Sequence, residues 1–102
     1  MPPERPLLPL VWEVFNEIPL GDALEDLVAE TGHSVVLDAR AREKAGKALV
    51  TARLVNVPVD TAVRLVADMH GLGVALVDGV FYVTDPANAA RMAARRAVIR
   101  AE

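Results

Sequence analysis

The residues whose types suit chemistry in this sequence are two histidines and a run of carboxylates. Asp22, Glu25, Asp26 and Glu30 are spaced by three and four residues, which on a helix gathers them on one side, and two such carboxylates side by side are the raw material of general acid and base catalysis. That chemistry needs one of the pair desolvated, and these four fall on the polar side of an amphipathic pattern, so a solvated face is expected. His33 and His70, with Asp38 or Asp68, are the combination that a metal would want. His33 follows a helix stop and His70 ends a helix, where the dipole favours an imidazolium, so ordinary helix-end roles are expected instead. No glycine-rich phosphate loop, nucleophile elbow or His-Glu metal motif occurs. There is no cysteine, which removes disulfides, thiol catalysis and thiolate-held metals. These residues lead to an expectation of no enzyme activity, no cofactor and no metal.

The elements that carry these residues are built from aliphatic side chains. Hydrophobic residues make up 53% of the 102 but aromatics only 4%, so a single modest core of Val, Leu and Ala is expected. A net charge of −3 gives no global attraction to nucleic acid or to anionic membrane. No run of 18 apolar residues exists to cross a bilayer, and Met1 to Pro6 lacks the basic and apolar regions of a signal peptide. Either a cytosolic protein or a piece of a longer chain is expected from that.

Residues 1–9 hold four of the seven prolines and read as an extended lead-in. Residues 10–16 suit a strand, with Leu10, Trp12 and Val14 on one side and Val11, Glu13 and Phe15 on the other. Leu20, Ala23, Leu24, Leu27, Val28 and Thr31 repeat at helical spacing up to a stop at Gly32. A short strand follows over 34–37, then a charged connection over 38–47 that reads as a loop or single helical turn, then a third strand over 49–55. The stretch 57–71 predicts the central helix: Val59, Ala62, Val63, Val66 and Ala67 make one buried stripe, and Leu65 with Met69 a second apolar edge. A helix so apolar is expected to be covered on more than one side.

Asp78-Gly79 between two apolar runs is a hairpin signal, because a type I′ turn needs positive φ at both central residues. Leu76 should then lie opposite Phe81, and Val74 opposite Val83, with Ala75, Val77, Val80 and Tyr82 on the other face. That second face is apolar enough to want a cover, from a neighbouring element or from a partner. Residues 86–102 predict a helix with Arg91, Arg95, Arg96 and Arg100 along much of one side, a surface for an acidic partner or for solvent. The fold class expected is α+β: a compact βαββαββ domain over 10–84, two helices packed between small sheets, and a C-terminal helix over 85–102. An RNA-binding reading of this order fails, because the sheet lacks paired aromatics on a central strand and the charge is acidic.

The segment from Pro19 to Leu37 superposes on Pro58 to Leu76 with a constant shift of 39 residues. Pro19/Pro58, Ala23/Ala62, Gly32/Gly71, Val35/Val74 and Leu37/Leu76 coincide, so each copy reads as helix, glycine stop, strand. Two copies are too few for a solenoid and read as two halves on one shared core.

The string Ile18-Pro19-Leu20, Ala23-Leu24, Leu27, Thr31-Gly32 and Val35-Val36-Leu37-Asp38 continues with Gly46, Asn56-Val57-Pro58-Val59, Ala62-Val63 and Gly71-Leu72. With its closing hairpin it resembles the short N-terminal domain shared by secretins and TonB-dependent receptors (STN). The resemblance implies a periplasmic docking module of a cell-envelope assembly, carried in a larger protein. In secretins such domains sit at the periplasmic end of an outer-membrane ring and meet inner-membrane components; in signalling receptors they contact a regulator of an anti-sigma factor. Carried onto this chain, the partner-binding surface is strand 1 (Val11, Trp12, Glu13) and strand 3 (Val50, Ala52), by edge pairing or face contact. Tyr82, Arg91 and Arg95 are further candidates, and the alternative is a free-standing cytoplasmic adaptor that self-associates through the outer hairpin face. Trp12, the one tryptophan, is either a core anchor or an interface hot spot. The chain departs from the family pattern at Glu13, two before Phe15, where an apolar residue is usual, and in its arginine-bearing terminal helix.

Overall fold

The computed structural model describes residues 9–29 and 31–101, with side chains as far as residue 94. The order is β1 (Leu10–Pro19), α1 (Leu20–Ala29), β2 (Ser34–Leu37), α2 (Ala39–Ala45), β3 (Leu49–Pro58), α3 (Val59–Asp68), β4 (Gly73–Val77), β5 (Val80–Thr84) and α4 (Pro86–Ala101). β1 and β3 pair antiparallel as a two-stranded ribbon; the other three strands form a second sheet in the order β2-β5-β4, with β2 parallel and β4 antiparallel to β5. The hairpin register is the one the turn demands, Leu76 opposite Phe81 and Val74 opposite Val83.

α1 and α3 lie between the two sheets because each carries an apolar stripe too wide to satisfy on one side. Leu20, Ala23, Leu24 and Leu27 of α1, and Val59, Ala62, Val63, Val66 and Ala67 of α3, are fully buried. They meet Phe15, Val50 and Leu54 from the ribbon and Phe81 and Val83 from the larger sheet in one continuous core. Withdrawing each large side chain of this set from water is worth about 1.5–3 kcal/mol before ordering entropy is set against it. The second apolar edge of the central helix is different: Leu65 and Met69 stand exposed.

β1 and β3 run past the spans expected of them, to Pro19 and Pro58, because each absorbs one extra residue in a bulge. Glu17 and Asn56 take left-handed φ values of 56° and 57°, and the pairing slips between Phe15 and Ile18 and between Val11 and Trp12. The extra residue turns Ile18 and Val57 back toward the core, where both are partly buried. The connection after β2 is a helix of two turns, α2, in place of the expected loop or single turn. Asp38 starts it, accepting from the Ala41 N–H at 3.0 Å, and Ala41 and Ala45, four apart, are buried against the body.

α4 supplies part of the cover that the outer hairpin face needs. A Cβ on Gly73 would come within 2.9 Å of Ala89 Cβ and of Pro86 Cα, so only glycine lets the helix lie this close to β4. Ala75, on the same face, is buried. That uses up part of the surface expected to serve self-association.

Candidate docking surface

Alternation along the ribbon decides which side chains can meet a partner. The inward row of β1 is Val11, Glu13 and Phe15, and that of β3 is Val50, Ala52 and Leu54; Glu13 and Ala52 are half-buried and the others buried. Val11 and Val50, expected in a partner surface, are therefore core residues whose side chains face the helices. The reason is the period of two: placing Phe15 in the core places Val11 with it. Glu13 tolerates this row because it stays half-buried, and it is engaged in the folded chain.

The outward row holds what the inward one does not. Trp12 is 63% exposed, Leu10 59%, Val14 57% and Leu49 52%, and Val55 shares the same face opposite Trp12. Of the eight large exposed hydrophobics among the described residues, five stand on this one face; the other three, Val36, Leu65 and Met69, lie elsewhere. An apolar strip on an otherwise polar surface is the signature of an interaction site. Sequence reasoning singles out Trp12 but misses Leu10, Val14, Leu49 and Val55, although the alternation that marks Trp12 as exposed marks Leu10 and Val14 too.

The outward face has a centre. Val14 pairs with Arg53, and these two residues are also 39 apart, so the pseudo-two-fold relating the halves passes between them. Arg53 is exposed in the middle of the apolar strip, and no carboxylate among the described residues pairs with it. One step along, the Glu17 N–H donates to Thr51 Oγ1 at 3.1 Å, fixing the bulge at that end.

Tyr82 is half-buried on the middle strand of the larger sheet, and Arg91 is exposed on α4, donating to Asn88 Oδ1 at 3.1 Å. Neither adjoins the ribbon in sequence or in sheet order. The side chain of Arg95 and residues 1–8 of the lead-in lie outside the described residues.

Polar chemistry elsewhere is spent on joining elements. The buried Thr84 hydroxyl donates to Asp38 Oδ2, which together with the Ala41 N–H holds the Asp38 carboxyl below its ordinary range. Asn88 Nδ2 donates to Thr84 Oγ1 at 3.1 Å, Asp85 Oδ1 accepts from the Asn88 N–H at 2.7 Å, and Arg40 pairs with Asp85. The starts of α2 and α4 are thus tied through one threonine. His33 Nδ1 lies 2.9 Å from Thr31 Oγ1 with its ring against Phe81, while His70 is used through its carbonyl, which accepts from Lys44 Nζ at 3.0 Å. Among the described residues, no three carboxylate or imidazole side chains gather where a metal could be held. The acidic residues Asp22, Glu25 and Asp26 lie on the outer side of α1, all three exposed, and Glu30 falls outside the described residues.

No family model matches the sequence, and no curated protein does. A solved structure does match: a protein of Parabacteroides distasonis described as an anti-sigma factor, with a TM-score of 0.61 over 72% of this chain at 14% identity. The likeness is one of fold. The matched part is 33% of that protein's length, so the chain corresponds to about a third of it. Among the described residues, no helix is long and apolar enough to cross a membrane.

Proposed function

We propose that this chain is a non-enzymatic docking module of the STN type, the short N-terminal domain of secretins and TonB-dependent receptors, and that it recruits a protein partner within a cell-envelope assembly. The observation that carries this reading is the outward face of the ribbon, where Leu10, Trp12, Val14, Leu49 and Val55 are held in the open by a two-stranded frame. Large apolar side chains fixed in this way bind with little loss of their own freedom, and a tryptophan among them is the usual energetic anchor. Two further points support the type: helices sandwiched between a two-stranded and a three-stranded sheet, as the family resemblance implies, and a fold neighbour whose description as an anti-sigma factor names a protein partner. The periplasm is the compartment that goes with this reading, with the chain forming one domain of a larger protein.

The test is a double substitution, Trp12→Asp with Leu49→Asp, in the full-length protein in its own cells. Both side chains are exposed, so melting temperature should move by no more than a few degrees. Partner recovered by co-purification should fall at least tenfold. Undiminished recovery with an intact fold would remove the ribbon face from the account.

A further inference from the structure

We infer that the outward face of the β1–β3 ribbon takes a single amphipathic helix of the partner, lying along the strands with one carboxylate set against Arg53. This rests on the reading of that face as the docking surface and says what sits on it.

Size comes first. Strands of ten residues extend about 33 Å, and two of them side by side offer a strip about 10 Å wide. One helix is 10–12 Å across, and about 18 residues of it are about 27 Å long. The strip is therefore one helix wide, and its plan of about 330 Å² is filled by a single helix. A second copy would have to reach well beyond the ribbon to approach the roughly 800 Å² of accessible surface that each side of a standard stable dimer buries. An extended segment added to a free ribbon edge would complete backbone hydrogen bonds, yet leave Trp12, Leu10 and Leu49 wet, because they point out of the ribbon plane rather than along it.

Charge narrows the occupant further. The outward positions of the two strands are Leu10, Trp12, Val14, Asn16 and Pro19, and Leu49, Thr51, Arg53, Val55 and Pro58. Arg53 is the one charge among these paired positions, placed midway along them opposite Val14; the exposed bulge residue Glu17 stands toward one end, beside Thr51. A helix whose apolar stripe covers the strip removes water from around this guanidinium, so its stripe must bring a carboxylate at mid-length or leave a cation buried without a partner. The arginine-bearing helix of another copy fails the same condition, since Arg91, Arg95, Arg96 and Arg100 would bring like charge to Arg53. The internal symmetry leaves direction open at the ends, where Leu10 answers Leu49, and sets it off-centre, where Trp12 answers Thr51.

Trp12 is the lone tryptophan, so its emission reads this face directly. The probes are two 18-residue amphipathic peptides of leucine and alanine, identical except for one glutamate or one lysine at the middle of the apolar stripe. The glutamate peptide should shift Trp12 emission to the blue and bind about tenfold or more tighter than the lysine peptide at low salt, and Arg53→Glu should invert that order. Equal binding of the two peptides, or an order unchanged by Arg53→Glu, overturns the carboxylate. Absence of any shift with either peptide, or a shift produced by anionic lipid vesicles in place of the peptides, overturns the helix. If the peptides fail while the Trp12→Asp/Leu49→Asp protein still loses its cellular partner, the helix is wrong and the docking face stands; if that protein keeps its partner, the face itself is wrong.

Discussion

The two halves of the molecule, 10–37 and 49–76, are built alike on the inside and differently on the outside. β1 and β3 share one burial sequence position by position, and α1 and α3 begin 39 residues apart. The bulge residues Glu17 and Asn56 share a left-handed φ, as do Gly32 and Gly71 at 78° and 74°. Even the entry bonds correspond: Leu20 N–H donates to Ala48 C=O and Val59 N–H to Pro9 C=O, each at 2.9 Å. The outward positions correspond only at the ends, Leu10 with Leu49 and Pro19 with Pro58, and differ between them. Trp12 answers Thr51, Val14 answers Arg53, Asn16 answers Val55, and the wet face of α1 carries Glu25 and Asp26 where α3 carries Arg64 and Leu65. Packing imposes the first set on both halves, since a shared core admits one pattern of size and polarity. Nothing in the fold imposes the second set, so the differences there are where the specific role of this chain is written.

That contrast can be broken most forcefully in the core. Leu24 and Val63 are equivalent and both fully buried. Leu24→Ala should cost about 2–5 kcal/mol and Val63→Ala less, having fewer atoms to lose, as read from urea unfolding midpoints. If one half tolerated the loss freely, the halves would not share one core.

The helix stops offer a sharper comparison. Gly32→Ala and Gly71→Ala each force a side chain into left-handed backbone, at about 1–2 kcal/mol. A Cβ at Gly32 meets open space, whereas at Gly71 it would lie 3.0 Å from Lys44 Nζ, which must then give up its bond to the His70 carbonyl. Gly71→Ala should be the costlier, and Lys44→Ala should bring the two to equality in the same unfolding assay.

Asp38 marks where the halves part, because its equivalent is Val77 in the hairpin. A carboxylate held below its ordinary pKa in the fold adds stability above its unfolded value, and that stability drains away as pH falls through the folded one. Asp38→Asn should therefore lower stability near neutral pH and flatten its decline between about pH 5 and pH 2. Thr84→Val should do the same by removing the hydroxyl that donates to Asp38. An acid limb as steep as that of the parent protein in both variants would assign the effect to other groups.

The smallest effect expected is a gain. Glu17→Gly relieves left-handed strain by up to about 1 kcal/mol, and Asn56→Gly by only a few tenths, because asparagine already tolerates that region. Melting curves that rank them the other way would show that the two bulges are not equivalent.

Much of this was legible in the residues. The hairpin register followed from Asp78-Gly79, the fold class from periodicity, and the pairing of the halves from the coincidence of Pro19 with Pro58 and Gly32 with Gly71. The bulges were not, since neither Glu17 nor Asn56 is a residue type that demands a left-handed turn; only their common offset hints at it. α2 hid behind its charge, although Asp38 ahead of Ala41 and Ala45 is a cap followed by a two-residue buried stripe. The docking face was half legible: Trp12 stood out by type, but which row of β1 faced inward depended on Phe15 being core, a tertiary fact. Arg53 acquired its place only when β3 was seen opposite β1.

The most direct measurement is position-specific photo-crosslinking in the cells that make the protein, with the reactive group placed in turn at positions 12, 49 and 26. Asp26 is the control, exposed on α1 and away from the ribbon. Docking through the outward face requires one discrete protein adduct from positions 12 and 49, and none from 26. An adduct from 26 alone, or no adduct at either ribbon position while the protein remains folded and present, would contradict the account.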